Sequence, residues 1–174
     1  MNTANKLTMA RVVMIPLFLL VLYLAPPHAS YIALAIFIVA SVTDFIDGYV
    51  ARHYNQTTDF GKFMDPLADK LLVLSAMLWF VEQGRLPAWA VLIVVARELA
   101  VTGLRLVAVD NGRVIAAAWS GKVKTFTTMV CICVMLLPVP GEIDLVCAAL
   151  IVVTTLYSGV EYFIKNRDVL NWNK

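Results

Sequence analysis

Six apolar runs follow one another along this chain, at 10–25, 31–52, 64–82, 87–109, 123–139 and 143–164. Each is close to the roughly 20 mostly apolar residues that a membrane-crossing helix needs. Pro26-Pro27, Gly84 to Pro87 and Pro138 to Gly141 punctuate the runs and mark turns on one side. The segments 53–62 and 110–122 then connect the runs on the other side. No internal repeat, low-complexity stretch or long linker divides the chain, so residues 1–174 read as a single domain. Only 15% of the 174 residues are charged, 61% are hydrophobic, and the mean hydropathy is +0.81. A soluble domain carries about 25% charged residues, which sets aside a soluble protein with a large core. The expected fold class is an all-α integral membrane protein with six transmembrane helices.

Lys and Arg orient such a bundle, because cytoplasmic loops are enriched in them. One side would carry Lys6, Arg11, Arg52, Lys62, Arg113, Lys122, Lys124, Lys165, Arg167 and Lys174. The other has Arg85 alone among the short-loop basic residues. Both termini are therefore expected in the cytoplasm, as an even number of spans requires. Net charge is only +2, so no global basic field points to nucleic acid. The first apolar run lacks a small-residue cleavage site after it, so a cleavable signal peptide is not expected. Asn5 to Arg11 reads as a short interfacial helix or a simple flank. Cys131, Cys133 and Cys147 lack metal-ligand spacing and read as membrane-packing residues. Trp79, Trp89 and Trp119 fall near span ends, as interfacial belts do, and Trp172 lies in the polar tail.

Against this apolar background, Asp44, Asp47, Asp65 and Asp69 stand out. Acids at membrane depth are costly and are kept mainly where a cation or substrate stabilises them. Asp44 and Asp47 are three apart, and Asp65 and Asp69 four apart. Either spacing puts both carboxylates on one helix face. Two such helices facing each other would gather four oxygen donors, which suits a hard cation such as Mg²⁺, Mn²⁺ or Ca²⁺. Without a cation, repulsion and desolvation of four carboxylates would be unfavourable. Two functional classes fit. A cation transporter would bind an ion that then moves, whereas a metal-dependent transferase would hold ions fixed under a reacting phosphate. The flanks favour the transferase. Gly48 and Gly61 let a ligand approach the backbone closely. Arg52 is a fixed positive charge able to contact phosphate. Two nearby metals can clamp the attacking and leaving oxygens of a phosphoryl displacement. Paired repeats and broken mid-membrane helices, common in transporters, are not evident.

Read in full, the pattern is Asp-x2-Asp-Gly-x2-Ala-Arg-x8-Gly-x3-Asp-x3-Asp, carried by Asp44, Asp47, Gly48, Ala51, Arg52, Gly61, Asp65 and Asp69. It resembles the defining motif of the CDP-alcohol phosphotransferases, with every fixed position present. Asn5-Lys6-Leu7-Thr8-Met9-Ala10-Arg11 is similar to that family's amino-terminal element. Ala96-Arg97-Glu98-Leu99, Thr102-Gly103-Leu104-Arg105 and Gly121-Lys122-Val123-Lys124-Thr125 are similar to segments of phosphatidylglycerophosphate synthases. So are Ser158 to Phe163 and the Lys165-x-Arg167-Asp168-Val169 run, and the resemblance covers nearly the whole chain. Ala4 and Thr128 depart from the Pro and Gln of some members.

The resemblance implies a six-helix membrane enzyme in the cytoplasmic membrane, a homodimer with two divalent cations (Mg²⁺ or Mn²⁺), and a site facing the cytoplasm. It implies phosphatidyl transfer from CDP-diacylglycerol to glycerol 3-phosphate with release of CMP. Other acceptors for the same chemistry are inositol phosphate, serine and phosphatidylglycerol. Asp44, Asp47, Asp65 and Asp69 would ligate the metals, with Asp44 and Asp65 as bridges. Asp69 would also act as general base on the acceptor hydroxyl, the alternative being metal ligation only. Asn5, Thr8, Asp44, Gly48, Ala51, Arg52 and Gly61 would bind the CDP moiety. Close helix packing explains the glycines too, and capping explains Asn5 and Thr8. Arg105, Lys122 and Lys124 would hold the acceptor phosphate, although basic loops on this side are expected anyway. Arg97 and Glu98 are expected to support the site as a buried charged pair. Asp59 is expected in a solvated loop.

Overall fold

The computed structural model of the protein describes residues 3–53, 59–116 and 118–169, with the side chains of 3–7, 44–53, 59–63, 65 and 66 outside that description. Among the described residues the structure is all-helical and contains no strand. The order is α1 (Thr3–Leu24), α2 (Ala29–His53), α3 (Asp59–Glu82), α4 (Ala88–Asp110), α5 (Trp119–Leu136) and α6 (Gly141–Lys165), followed by a 3₁₀ turn (Arg167–Val169). Each apolar run of the sequence corresponds to one helix.

The helices overrun the apolar runs at their polar ends. The segment Asn5 to Arg11 belongs to α1, which continues without a break into the first apolar run. The expected 53–62 connection is shorter than read, because α3 starts at Asp59 and Asp59 is therefore helical rather than part of a loop. Likewise α5 starts at Trp119, so Gly121 and Lys122 sit in its first turn. Polar ends continue a helix readily, since its backbone hydrogen bonds do not depend on side-chain hydropathy. The Pro and Gly turns stand where expected. Ala25 and His28 flank Pro26-Pro27 with φ of 44° and 65°, and Gly84 takes φ 68°. That conformation suits Gly84 without penalty but is uncommon for the other two.

The residues group into two compact units. The first comprises residues 1–79 and 132–139. Here α1 packs on α2, with the Phe18 and Phe37 rings 6.1 Å apart. Ala33, Ala40, Ala68 and Ala76 are fully buried in this unit, the small residues that let helix backbones approach closely. The second unit comprises residues 80–131 and 140–174. In it α4 packs on α6 and on the 3₁₀ turn. Val101, Leu104 and Ala108 of α4 meet Tyr162 and Val169 in one apolar cluster. Arg85 forms a two-pronged ion pair with Asp144, Nε and Nη2 each 2.8 Å from a carboxylate oxygen, and its guanidinium lies over Phe80. This ties the turn before α4 to the start of α6.

The outward faces are apolar rather than charged. Leu92, Leu99 and Leu106 recur every seventh residue on α4, and each is about two-thirds exposed. Val146, Val153 and Val160 do the same on α6. Among the described residues only Gly141–Lys165 is long and apolar enough throughout to cross a membrane by length and composition, with Thr8–Leu24 and Ala29–Thr43 as shorter apolar stretches. In α4 and α5 the internal charges Arg97, Glu98, Arg105, Lys122 and Lys124 interrupt the apolar run. Trp79, Trp89 and Trp119 lie near the ends of α3, α4 and α5. Cys131 and Cys147 are free, and their thiols interact.

Candidate active site

The acidic pattern occupies two consecutive helices. Asp44, Asp47, Gly48, Ala51 and Arg52 lie on the last turns of α2, and Gly61, Asp65 and Asp69 on the first half of α3. Both stretches are helical, so the spacings of three and four read from the sequence fall within helices. The side chains of Asn5, Asp44, Asp47, Gly48, Ala51, Arg52, Gly61 and Asp65 fall outside the described residues. Asp69 is described and half-buried. Among the described residues no three acids, histidines or cysteines form a metal-binding group. The chemistry of the donor set fits hard divalent cations all the same, since it offers carboxylates only.

Thr8 of α1 is buried at 1% exposure and Arg11 at 0%. They are three residues apart and share a helix face. In the sequence Arg11 read as a topological charge and as the end of the amino-terminal element, without a site role. Its complete burial adds it to the functional candidates, because an interior guanidinium is kept only with partners that offset its desolvation. The signal was its place one turn after Thr8 in the amino-terminal element.

The basic candidates lie in the second unit, and the structure gives each a different setting. Arg105 of α4 donates from Nε to the Tyr162 hydroxyl at 2.8 Å, with its guanidinium over the same ring. Lys124 of α5 is buried, and its Nζ lies 2.7 Å from Glu98 Oε1. Lys122, two residues earlier, is exposed, with its ammonium 6.0 Å from the centre of the Trp119 ring. Two residues along a helix turn the side chain by about 200°, so Lys122 and Lys124 do not share a face.

Glu98 Oε1 accepts a second charged bond, from Arg97 Nη1 at 3.1 Å. The expected Arg97–Glu98 pair is thus present, and it extends further than read. Arg97 Nη2 donates to Ser158 Oγ on α6 at 2.6 Å. The chain Ser158–Arg97–Glu98–Lys124 therefore links α6, α4 and α5. Two glycines make room for it. A Cβ on Gly159 would stand 3.2 Å from Arg97 Cγ, and one on Gly121 would stand 3.5 Å from Nη2.

Beyond the helix ends, Arg113 pairs with Asp168, and its guanidinium holds the Asp168 carboxyl below the ordinary carboxylate range. At the end of α6, Lys165 pairs with Glu161 one turn earlier.

The chain is also similar to known proteins over nearly its whole length. Residues 1–158 match the model of the CDP-alcohol phosphatidyltransferase family. A CDP-diacylglycerol--glycerol-3-phosphate 3-phosphatidyltransferase of Bacillus subtilis is 42% identical, over 97% of this chain and 97% of its own. A probable phosphatidylglycerophosphate synthase of Mycobacterium tuberculosis is 43% identical, over 97% of this chain and 83% of its own. A 3-phosphatidyltransferase of the first kind from Shigella flexneri is 39% identical over 98% of both chains.

Proposed function

This chain belongs to the CDP-alcohol phosphatidyltransferase family, and from that membership we propose that it transfers the phosphatidyl group of CDP-diacylglycerol to sn-glycerol 3-phosphate. The products are phosphatidylglycerol phosphate and CMP, a step of phospholipid synthesis. The observation that carries this reading is 42% identity over 97% of both chains to a relative named for that reaction.

The acceptor hydroxyl attacks the phosphorus attached to diacylglycerol, and the bond from that phosphorus to the CMP oxygen breaks. Asp69 takes the hydroxyl proton, a role that needs a carboxylate within hydrogen-bond reach of the acceptor. Its half-buried position on α3, one turn after Asp65, supports that assignment. Asp44, Asp47, Asp65 and Asp69 hold two divalent cations, Mg²⁺ or Mn²⁺, which when bound neutralise the pyrophosphate and the charge left on CMP. Asn5, Thr8, Asp44, Gly48, Ala51, Arg52 and Gly61 bind the CDP moiety, with Arg52 as the phosphate contact. Arg105, Lys122 and Lys124 hold the acceptor phosphate. Burial of Lys124 beside Glu98 supports its part, since among the described residues one carboxylate oxygen engages an ammonium that has three donors.

The donor is a lipid, so the enzyme works at a membrane. Six spans, both termini in the cytoplasm and a cytoplasm-facing site in the cell membrane complete the proposal, with residues 1–174 as one domain and a homodimer as the working form. The exposed Leu and Val rows of α4 and α6 support the bilayer placement, because a soluble surface rarely shows such continuous apolar area.

The test is CMP release by purified protein in detergent with CDP-diacylglycerol, Mg²⁺ and a panel of acceptors. Release that needs glycerol 3-phosphate and vanishes with chelator or in Asp65→Asn is expected. Release with another alcohol instead would retain the chemistry and overturn the acceptor.

A further inference from the structure

We propose that Glu98 is a positioning residue for the acceptor phosphate, acting through Lys124. This rests on the reading of Lys124 as an acceptor-binding group. Three observations carry it. Glu98 Oε1 lies 2.7 Å from Lys124 Nζ and 3.1 Å from Arg97 Nη1, so one oxygen serves two cations. Arg97 is in turn anchored to Ser158 at 2.6 Å, and Gly121 and Gly159 leave the space it fills. The carboxylate is thereby held from one side by a fixed guanidinium and presents its charge to Lys124 on the other. Finally, Lys124 is 5% exposed, so its ammonium has little water to fall back on.

The arithmetic of charge gives the carboxylate its role. Arg97 and Lys124 are two interior cations, and Glu98 balances one of them. These three side chains together sum to one positive charge, which an acceptor phosphate can neutralise and an uncharged alcohol cannot. Without Glu98 the two cations repel one another, and the flexible one, Lys124, is displaced. Glu98 thus sets where the positive charge is presented, while Lys124 makes the contact.

Steady-state kinetics with both substrates varied separately tests this. Glu98→Gln and Lys124→Ala should each raise the glycerol 3-phosphate KM by about tenfold or more, in line with loss of a charged hydrogen bond. The KM for CDP-diacylglycerol should stay within about twofold, as for a substrate that does not use the lost contact. The double variant should bind acceptor no worse than Lys124→Ala alone, because Glu98 acts through that lysine. Glu98→Asp should recover part of the loss. The exchanged pair, Glu98→Lys with Lys124→Glu, restores the ion pair and so should restore thermal stability in detergent without restoring acceptor affinity. Recovery of acceptor affinity in the exchanged pair would show a structural role only and overturn the proposal. So would an unchanged acceptor KM in Glu98→Gln beside a raised one in Lys124→Ala. If Lys124→Ala instead raises both KM values equally, the acceptor reading of Lys124 itself is wrong.

Discussion

Asp69 has two proposed roles, proton acceptor and metal ligand, that one substitution can separate. Asp69→Asn keeps an oxygen ligand but loses the base. The expected outcome is a fall in kcat of about 10²-fold or more, the usual contribution of general-base catalysis. Near-normal turnover at saturating Mg²⁺ would leave Asp69 as a ligand only. The Arg113–Asp168 pair gives a second residue-scale expectation, in pH. Arg113 lowers the Asp168 carboxyl below its unfolded value of about 3.9. A depressed carboxylate stabilises the fold above that value and loses its contribution as pH falls through the lower, folded one. The thermal midpoints of the protein and of Asp168→Asn should therefore differ by a constant amount from pH 7 to about pH 5. The difference should begin to shrink below about pH 4 and close only at the lower pH where the folded carboxyl itself is protonated. A difference that grew on acidification would contradict the pairing.

Between helices, the two glycines beside Arg97 differ in a way that substitution can read. At Gly159 an added Cβ would press on Arg97 Cγ at 3.2 Å, and that stem cannot yield easily with its guanidinium held by Ser158 and Glu98. Gly159→Ala should lower stability by about 1–3 kcal/mol, the range for overpacking. At Gly121 the nearest atom would be 3.5 Å away, an ordinary contact, and alanine is the better helix former. Gly121→Ala should leave the melting temperature in detergent unchanged or raise it. How much the sequence could say is clearest at this scale. Apolar runs and Pro or Gly turns located all six helices, because hydropathy and turn chemistry are local. Residues 3–9, 59–63 and 119–122 read as flanks or loops, since hydropathy reports preference for lipid rather than helicity. The acids of α2 and α3 were legible as a pattern within 26 residues. The Lys124–Glu98 bond was not, because it joins two helices across 26 positions and nothing in either segment alone specifies the partner. Arg97–Glu98 was read from adjacency, but its anchor Ser158 lies 61 residues further on.

Taken as a whole, the proposed arrangement puts nearly all basic residues on one side of a bilayer and Arg85 on the other. Cysteines placed singly at Gln83 and at Asn111 should therefore label from opposite faces of intact cells or inverted vesicles. Labelling of both from the same face would refute the six-span topology. The Arg85–Asp144 pair should carry much of the order on its side. Asp144 is 5% exposed, and its loss leaves a half-buried guanidinium without its counterion. Asp144→Ala should destabilise by about 3 kcal/mol, and changing both residues to apolar ones of similar size should recover most of that.

The same pair also sets an order of events in biogenesis. Arg85 leaves the ribosome 59 residues before Asp144 does. In the proposed six-span arrangement, a nascent chain ending before α6 would hold a translocated arginine whose counterion has not yet been made, against the orienting preference of its own charges. In that arrangement the turn carrying Arg85 would be only provisionally placed until synthesis of the first turn of α6 supplies Asp144. Truncation ahead of Asp144 should let the segment around Arg85 flip or be cleared by membrane proteases, and truncation just after α6 should not.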